Sequence, residues 1–83
     1  MTAIKKIKMK PEECIQKIIH ICRNLGVDYK VSEKEKSITI ELQKENQRGM
    51  LRIFISKKGL TLDGSAGRDK DLNILIMQDF QAQ

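Results

Sequence analysis

The run LRIFISKKGLTLDGSAG, residues 51–67, decides how this chain folds. Leu51, Ile53 and Ile55 alternate with Arg52, Phe54 and Ser56, and Leu60 and Leu62 alternate with Thr61 and Asp63. Each half therefore reads as a strand with one apolar face. Lys57 and Lys58 followed by Gly59 fit a type I turn closed by a left-handed glycine, which folds the two halves into a hairpin. GSAG then breaks the alternation, and Leu72, Leu75, Ile76 and Phe80 return on one helical face within 68–82.

Working back from the hairpin, two more period-2 segments precede it, VDYKV (27–31) and SITIELQ (37–43), and the hairpin's first strand reads from 49 to 56. The polar connections SEKEK and KENQR are short enough for an antiparallel meander with one buried face. Before it, Pro11 suits the first turn of a helix, Glu12 and Glu13 suit its positive end, and Gly26 is a natural stop. Cys14, Ile15, Ile18, Ile19, Ile21, Cys22 and Leu25 fall within an arc of about 160° at 100° per residue, so this helix has one apolar side. In residues 1–10, a basic strand or arm, Ile7 and Met9 alternate with lysines and Ile4 is out of step; lysine on an edge strand discourages pairing with other chains. The expected architecture is one α+β domain over residues 1–83, β-α-β-β-β-β-α, with two helices on one face of an antiparallel sheet of four or five strands.

The net charge of +5 is unevenly spread. Lys5, Lys6, Lys8 and Lys10 meet no acid in the first ten residues, whereas residues 11–83 carry twelve bases and eleven acids. The body is thus close to neutral, and the basic signal belongs to the N-terminal stretch. No apolar run approaches the roughly 18 residues that span a bilayer, and MTAIKKIKMK lacks a signal peptide's apolar block, so a cytoplasmic protein with no membrane role is expected. Cys14 and Cys22 lie about 12 Å apart along a helix rising 1.5 Å per residue, too far for a disulfide, and read as free buried thiols. His20 falls opposite the apolar arc and is expected on the surface.

Several sites can be tested against the residues they require. An EF-hand loop beginning at Asp63 needs glycine sixth and glutamate twelfth, where this chain has Arg68 and Ile74. Gly64 and Gly67 could turn backbone N–H groups toward an anion, with Arg68 and Lys70 nearby, but GSAG is neither GxxxxGK[ST] nor GxGxxG and reads first as a strand-to-helix joint. Ser56 and Ser65 have no histidine in a plausible position, and the acids are scattered among lysines. No enzyme, cofactor or metal site is expected.

LRIFISKKGLTLDGS and the amphipathic segment after it resemble the strand, tight turn, strand, glycine and helix of a single repeat of the TATA-binding-protein-like fold. Such repeats also occur in type 3 ribonuclease H and in RNase LS-type toxins. Ile53, Phe54, Ile55, Ser56, Lys58 and Gly64 stand at matching positions; the turn is one residue longer than the family's usual serine, glycine, lysine. The resemblance implies that the phenylalanine matching Phe54 wedges between base steps, and that one repeat needs a second copy or another partner to complete a saddle.

Periodicity independently puts Met50, Arg52 and Phe54 on the open face of the sheet if Leu51, Ile53 and Ile55 face the core. Asp28, Glu41 and Asp63 are expected there alongside Lys30 and Arg52, a mixture of signs ordinary for a protein interface. The sequence therefore ranks first a small protein-interaction module, a homodimer, inhibitor or antitoxin-like adaptor, using this face. Second comes a nucleic-acid-binding module using the same face through Met50, Arg52, Phe54, Lys57 and Lys58 together with Lys5, Lys6, Lys8 and Lys10.

Overall fold

A computed structural model describes residues 4–82, with the side chains of all of these except Lys5 and Ala82. Strand β1 (Ile4–Ile7) leads into helix α1 (Pro11–Leu25), whose first residue is the expected proline. Gly26 ends α1 in the left-handed conformation at φ 69°, with its N–H donating to Arg23 O and the Val27 N–H donating to Cys22 O. These bonds close a Schellman motif and satisfy two of the helix's last carbonyls. Val27 is drawn into that cap, so β2 begins one residue later than the alternation predicts, as Asp28–Glu33.

Strands β3 (Ser37–Lys44), β4 (Gln47–Ser56) and β5 (Gly59–Asp63) complete the meander, and helix α2 (Lys70–Ala82) closes the chain. The five antiparallel strands lie in the order β1-β5-β4-β3-β2, so the N-terminal strand pairs with the last one. The fold is α+β, as expected, and the basic N-terminus is a paired edge strand over residues 4–7. Strand β4 starts two residues early because Gln47 pairs with Lys44 across a tight turn in which Glu45 adopts φ 54°. Gly59 has φ 131°, and a Cβ there would approach Ile7 O to 2.9 Å, so this glycine both closes the hairpin and admits β1.

The core lies between the sheet and the two helices. Ile38, Ile40, Leu42, Leu51, Ile53, Leu60 and Leu62 meet Cys14, Ile15, Ile18, Ile21 and Cys22 of α1 and Leu72, Ile76, Met77 and Phe80 of α2. Helix α1 turns the predicted arc to the core, with Ile19 and Leu25 at its margins partly buried. Helix α2 does not: Leu75 is 38% exposed, and Asn73 and Met77 are buried in its stead.

The cause of that rotation lies at the edge of β4. Strand β5 ends at Asp63 opposite Arg52, which leaves the outer backbone groups of residues 48–50 without a strand partner. The α2 end supplies the bonds: Arg48 N donates to Asp69 Oδ2 at 2.7 Å, Asp69 N donates to Arg48 O at 2.8 Å, and Met50 N donates to Asn73 Oδ1 at 2.7 Å. Asn73 Nδ2 in turn donates to Gly64 O and Ala66 O at 2.8 and 2.7 Å. Turning Asn73 inward gives partners to three backbone groups at once, the Met50 N–H and the Gly64 and Ala66 carbonyls, which outweighs the burial of one more leucine. Gly49 makes room for it, since a Cβ there would collide with Asn73 Oδ1.

Among the described residues, no helix is long and apolar enough to cross a membrane.

Candidate binding face

The register of the strands sets out the uncovered face of the sheet. Phe54 lies between Ser37 and Thr61, and Thr61 lies beside Lys6, so one row across the sheet reads Lys6, Thr61, Phe54, Ser37. The next row reads Ile4, Asp63, Arg52, Thr39, Ser32, and beyond it Met50 stands beside Glu41 and Lys30. Met50 and Arg52 are half-buried and Phe54 is 40% exposed, as the alternation predicts. Ile4, out of step in the sequence, is on this face too, 53% exposed.

Arg52 is the hinge of the arrangement. Its Nη2 donates to Asp63 Oδ2 at 2.9 Å, and its guanidinium carbon sits 5.4 Å from the centroid of the Phe54 ring. The ring therefore has a cation braced against it. Arg52 Nε is buried without a partner, so the guanidinium is held by one bond and the ring, not by a two-pronged clasp.

Asp63 is not the free acid that the sequence suggests. It is 7% exposed, and its Oδ1 accepts bonds from the Ser65 N–H at 2.8 Å and the Ser65 hydroxyl at 2.5 Å. Burial pushes its pKa up, but the bonds from Ser65 and Arg52 and the charge of Arg52 outweigh that and hold it below the ordinary aspartate value. GSAG is accordingly a structured joint: the Ser65 amide is taken by Asp63, and the Gly64 and Ala66 carbonyls are taken by Asn73.

The lysines collect at one end. Lys6, Lys8 and Lys58 line a shallow, open depression of about 380 Å³ with Ser56, Gly59 and Thr61, and no acid lines it. Lys57 and Lys58 are exposed in the turn above it. None of these lysines forms a salt bridge with an acid among the described residues, unlike Arg52, which pairs with Asp63. Lys10 does not join them; it stands at the N-cap position of α1, without a side-chain capping bond, and α1 packs on the opposite side of the sheet. Strand β1 includes Lys5, but the placement of its side chain lies outside the described residues. A larger hollow of about 490 Å³ at the other end has walls of both signs, including Asp28, Lys30, Glu41, Arg48 and Arg68.

The remaining candidates are structural. Ser56 Oγ donates to Gly59 O at 3.1 Å, and the exposed His20 shares a 3.2 Å bond with Asn24 on the outside of α1. Cys14 and Cys22 are buried, and burial raises both thiols to about 11 despite the lowering effect of Lys17 on Cys14. Asp69 is bound to the Arg48 backbone and Asp63 to Arg52 and Ser65, so two of the three carboxylates in a calcium loop starting at Asp63 are already taken.

Residue patterns missed the anchoring role of Asp63 and the role of Asn73. A signal for the first existed, because a hairpin closing at Ser56 and Gly59 necessarily sets Arg52 opposite Asp63. No protein-family model matches the chain, and no curated protein matches it at a significant level.

Proposed function

We propose that the chain is a non-catalytic binding module whose open sheet face engages nucleic acid through Phe54 and the lysines that border it. One observation carries this reading: Phe54 stays 40% exposed on a face where Lys6, Lys8, Lys57 and Lys58 are unneutralised, while Asp63, the acid in the adjacent row, is consumed by Arg52 and Ser65. An exposed ring beside unpaired cations suits a polymer of phosphates carrying flat bases. The sequence alone ranks a protein partner first because the body is near neutral; the distribution of charge over the face reverses that order. The resemblance to a TATA-binding-protein-like repeat is supported by the order strand, helix, four strands, helix and by the outward position of Phe54.

A protein partner, including a second copy, is the second reading. It is favoured by the far end of the same face, where Met50, Glu41 and Lys30 form a row of mixed character.

Binding of labelled duplex, hybrid and single-stranded oligonucleotides, followed by fluorescence anisotropy at low salt, tests the first reading. Affinity should fall steeply with added salt and with Lys6→Ala and Lys58→Ala. Absence of binding to all three would overturn it. Light scattering tests the second: self-association lost in Phe54→Asp would favour a dimer through this face.

A further inference from the structure

We infer that the nucleic acid this face takes is single-stranded, with one unpaired base stacked on Phe54 and the phosphate chain running along Lys6, Lys8, Lys57 and Lys58. The inference rests on the nucleic-acid reading above and specifies its ligand.

The first argument is that the unneutralised charge is one-sided. Lys6 and Lys8 border Phe54 on the β1 side, and Lys57 and Lys58 border it at the β4–β5 turn. On the other side, β3 and β2 offer the uncharged Ser37, Thr39 and Ser32 nearest to Phe54, and only beyond them a group of mixed sign, Glu41, Lys30 and Asp28 with Arg48 and Arg68. At the turn joining β2 to β3, Lys34 and Lys36 are interleaved with Glu33 and Glu35. A duplex carries two phosphate rails, flanking grooves about 6 or 12 Å wide. With one rail over Lys6 and Lys8, a second about 12 Å away falls where β4 meets β3, over the uncharged Ser37 and Thr39 and beside Arg52, whose charge is already paired with Asp63. A single strand has one rail and needs one basic border.

The second argument concerns the ring itself. Phe54 is more than half covered by its sheet neighbours, and Arg52 is braced against it by the bond to Asp63. The ring thus rests against its neighbours and Arg52 while two-fifths of its surface stays open. Prying a duplex step open requires a protruding apolar wedge and a loss of base stacking that the wedge must repay. A base that is already unpaired can lie on a platform without that loss, and every base has a flat face to offer. The rows of the sheet bring ring and lysine within reach of one nucleotide: Lys6 is two strands from Phe54, about 10 Å at the usual 4.7–4.9 Å spacing.

The test measures anisotropy of labelled single-stranded DNA, single-stranded RNA and their duplexes with the full chain. Oligonucleotides of about 12 nucleotides suit the roughly 4–16 nucleotides occupied by small strand-binding domains. At low salt either single strand should bind at least about tenfold more tightly than the duplex of the same sequence. Phe54→Ala should weaken strand binding about 5- to 150-fold, the range expected for loss of one stacked base, and Phe54→Trp should restore it. Lys6→Ala should make the dependence of log affinity on log salt shallower by about 0.7, the value for one phosphate contact on a single strand. A duplex bound as tightly as the strand overturns this inference and leaves the nucleic-acid reading standing. No binding of any oligonucleotide overturns both. Strand binding unaffected by Phe54→Ala, in a variant that melts like the parent, removes the stacking platform and with it the inference.

Discussion

Arg52 and Asp63 face each other across β4 and β5 with 2.9 Å between Nη2 and Oδ2, and the same guanidinium rests against the Phe54 ring. A carboxylate buried by the GSAG turn thus sets the position of the side chain that braces the exposed ring.

Asp63→Asn should therefore destabilise the fold by about 1–3 kcal/mol, the range for disrupting a charged, buried hydrogen-bonding group. Because its folded pKa lies below the unfolded value, the stability it contributes is present above the ordinary aspartate pKa of about 3.9 and is lost as pH falls through the lower, folded value. Urea unfolding as a function of pH should show a weaker acid dependence in Asp63→Asn than in the parent; equal dependence would mean that the carboxylate is not held as described.

Asn73→Ala should cost about 2–4 kcal/mol, because the Met50 N–H and the Gly64 and Ala66 carbonyls each lose a partner. Hydrogen exchange at the Met50 amide should accelerate ahead of exchange elsewhere in β4. Gly49→Ala should also destabilise the parent, but by less in the Asn73→Ala background, since the atom its Cβ would strike has gone. A double-mutant cycle of urea midpoints measures that coupling, and simple additivity would contradict the contact.

Cys14 and Cys22 should resist alkylation near neutral pH in the folded protein and react once it is unfolded in urea, because burial raises both thiols to about 11. Raised folded values imply that their contribution to stability is intact below the ordinary thiol pKa and is lost as pH climbs toward 11. Mass spectrometry after timed exposure to iodoacetamide reads the difference directly.

Glu45→Gly should stabilise the protein by about 0.5–1 kcal/mol. Glu45 holds φ 54°, which costs an L residue roughly 1–2 kcal/mol, and glycine avoids that cost while losing part of the gain to chain entropy. Thermal unfolding at fixed pH checks the sign.

Much of the fold was legible because its signals are local. The 51–63 hairpin follows from alternation and one glycine, and α1 follows from an apolar arc between Pro11 and Gly26. The orientation of α2 was not legible, because an asparagine turned into the core makes sense only once β5 is seen to stop at Asp63 and leave backbone groups of β4 unpaired. The placement of Phe54, Met50 and Arg52 on the open face could be read from periodicity. The gathering of Lys6 and Lys8 with Lys57 and Lys58 could not, because it depends on the N-terminal strand pairing with the fifth, a contact between residues more than fifty positions apart. Asp63 looked like a liability for phosphate binding until the fold placed Ser65 and Arg52 around it.

The way α2 seats against residues 48–50 also bears on solubility. The outer edges of β1 and β2 carry Lys6, Asp28, Lys30 and Glu33, charges that repel a neighbouring strand. At the start of β4, where Arg48 is the one charge, the unpaired backbone groups are masked by Asp69 and Asn73. A chain cut after Arg68 would bare that edge together with the apolar surface under Leu72, Ile76 and Phe80, a template for sheet growth between molecules. Residues 69–82 therefore act as a built-in chaperone for the strand they cover, and their removal should leave a chain that aggregates as it is made.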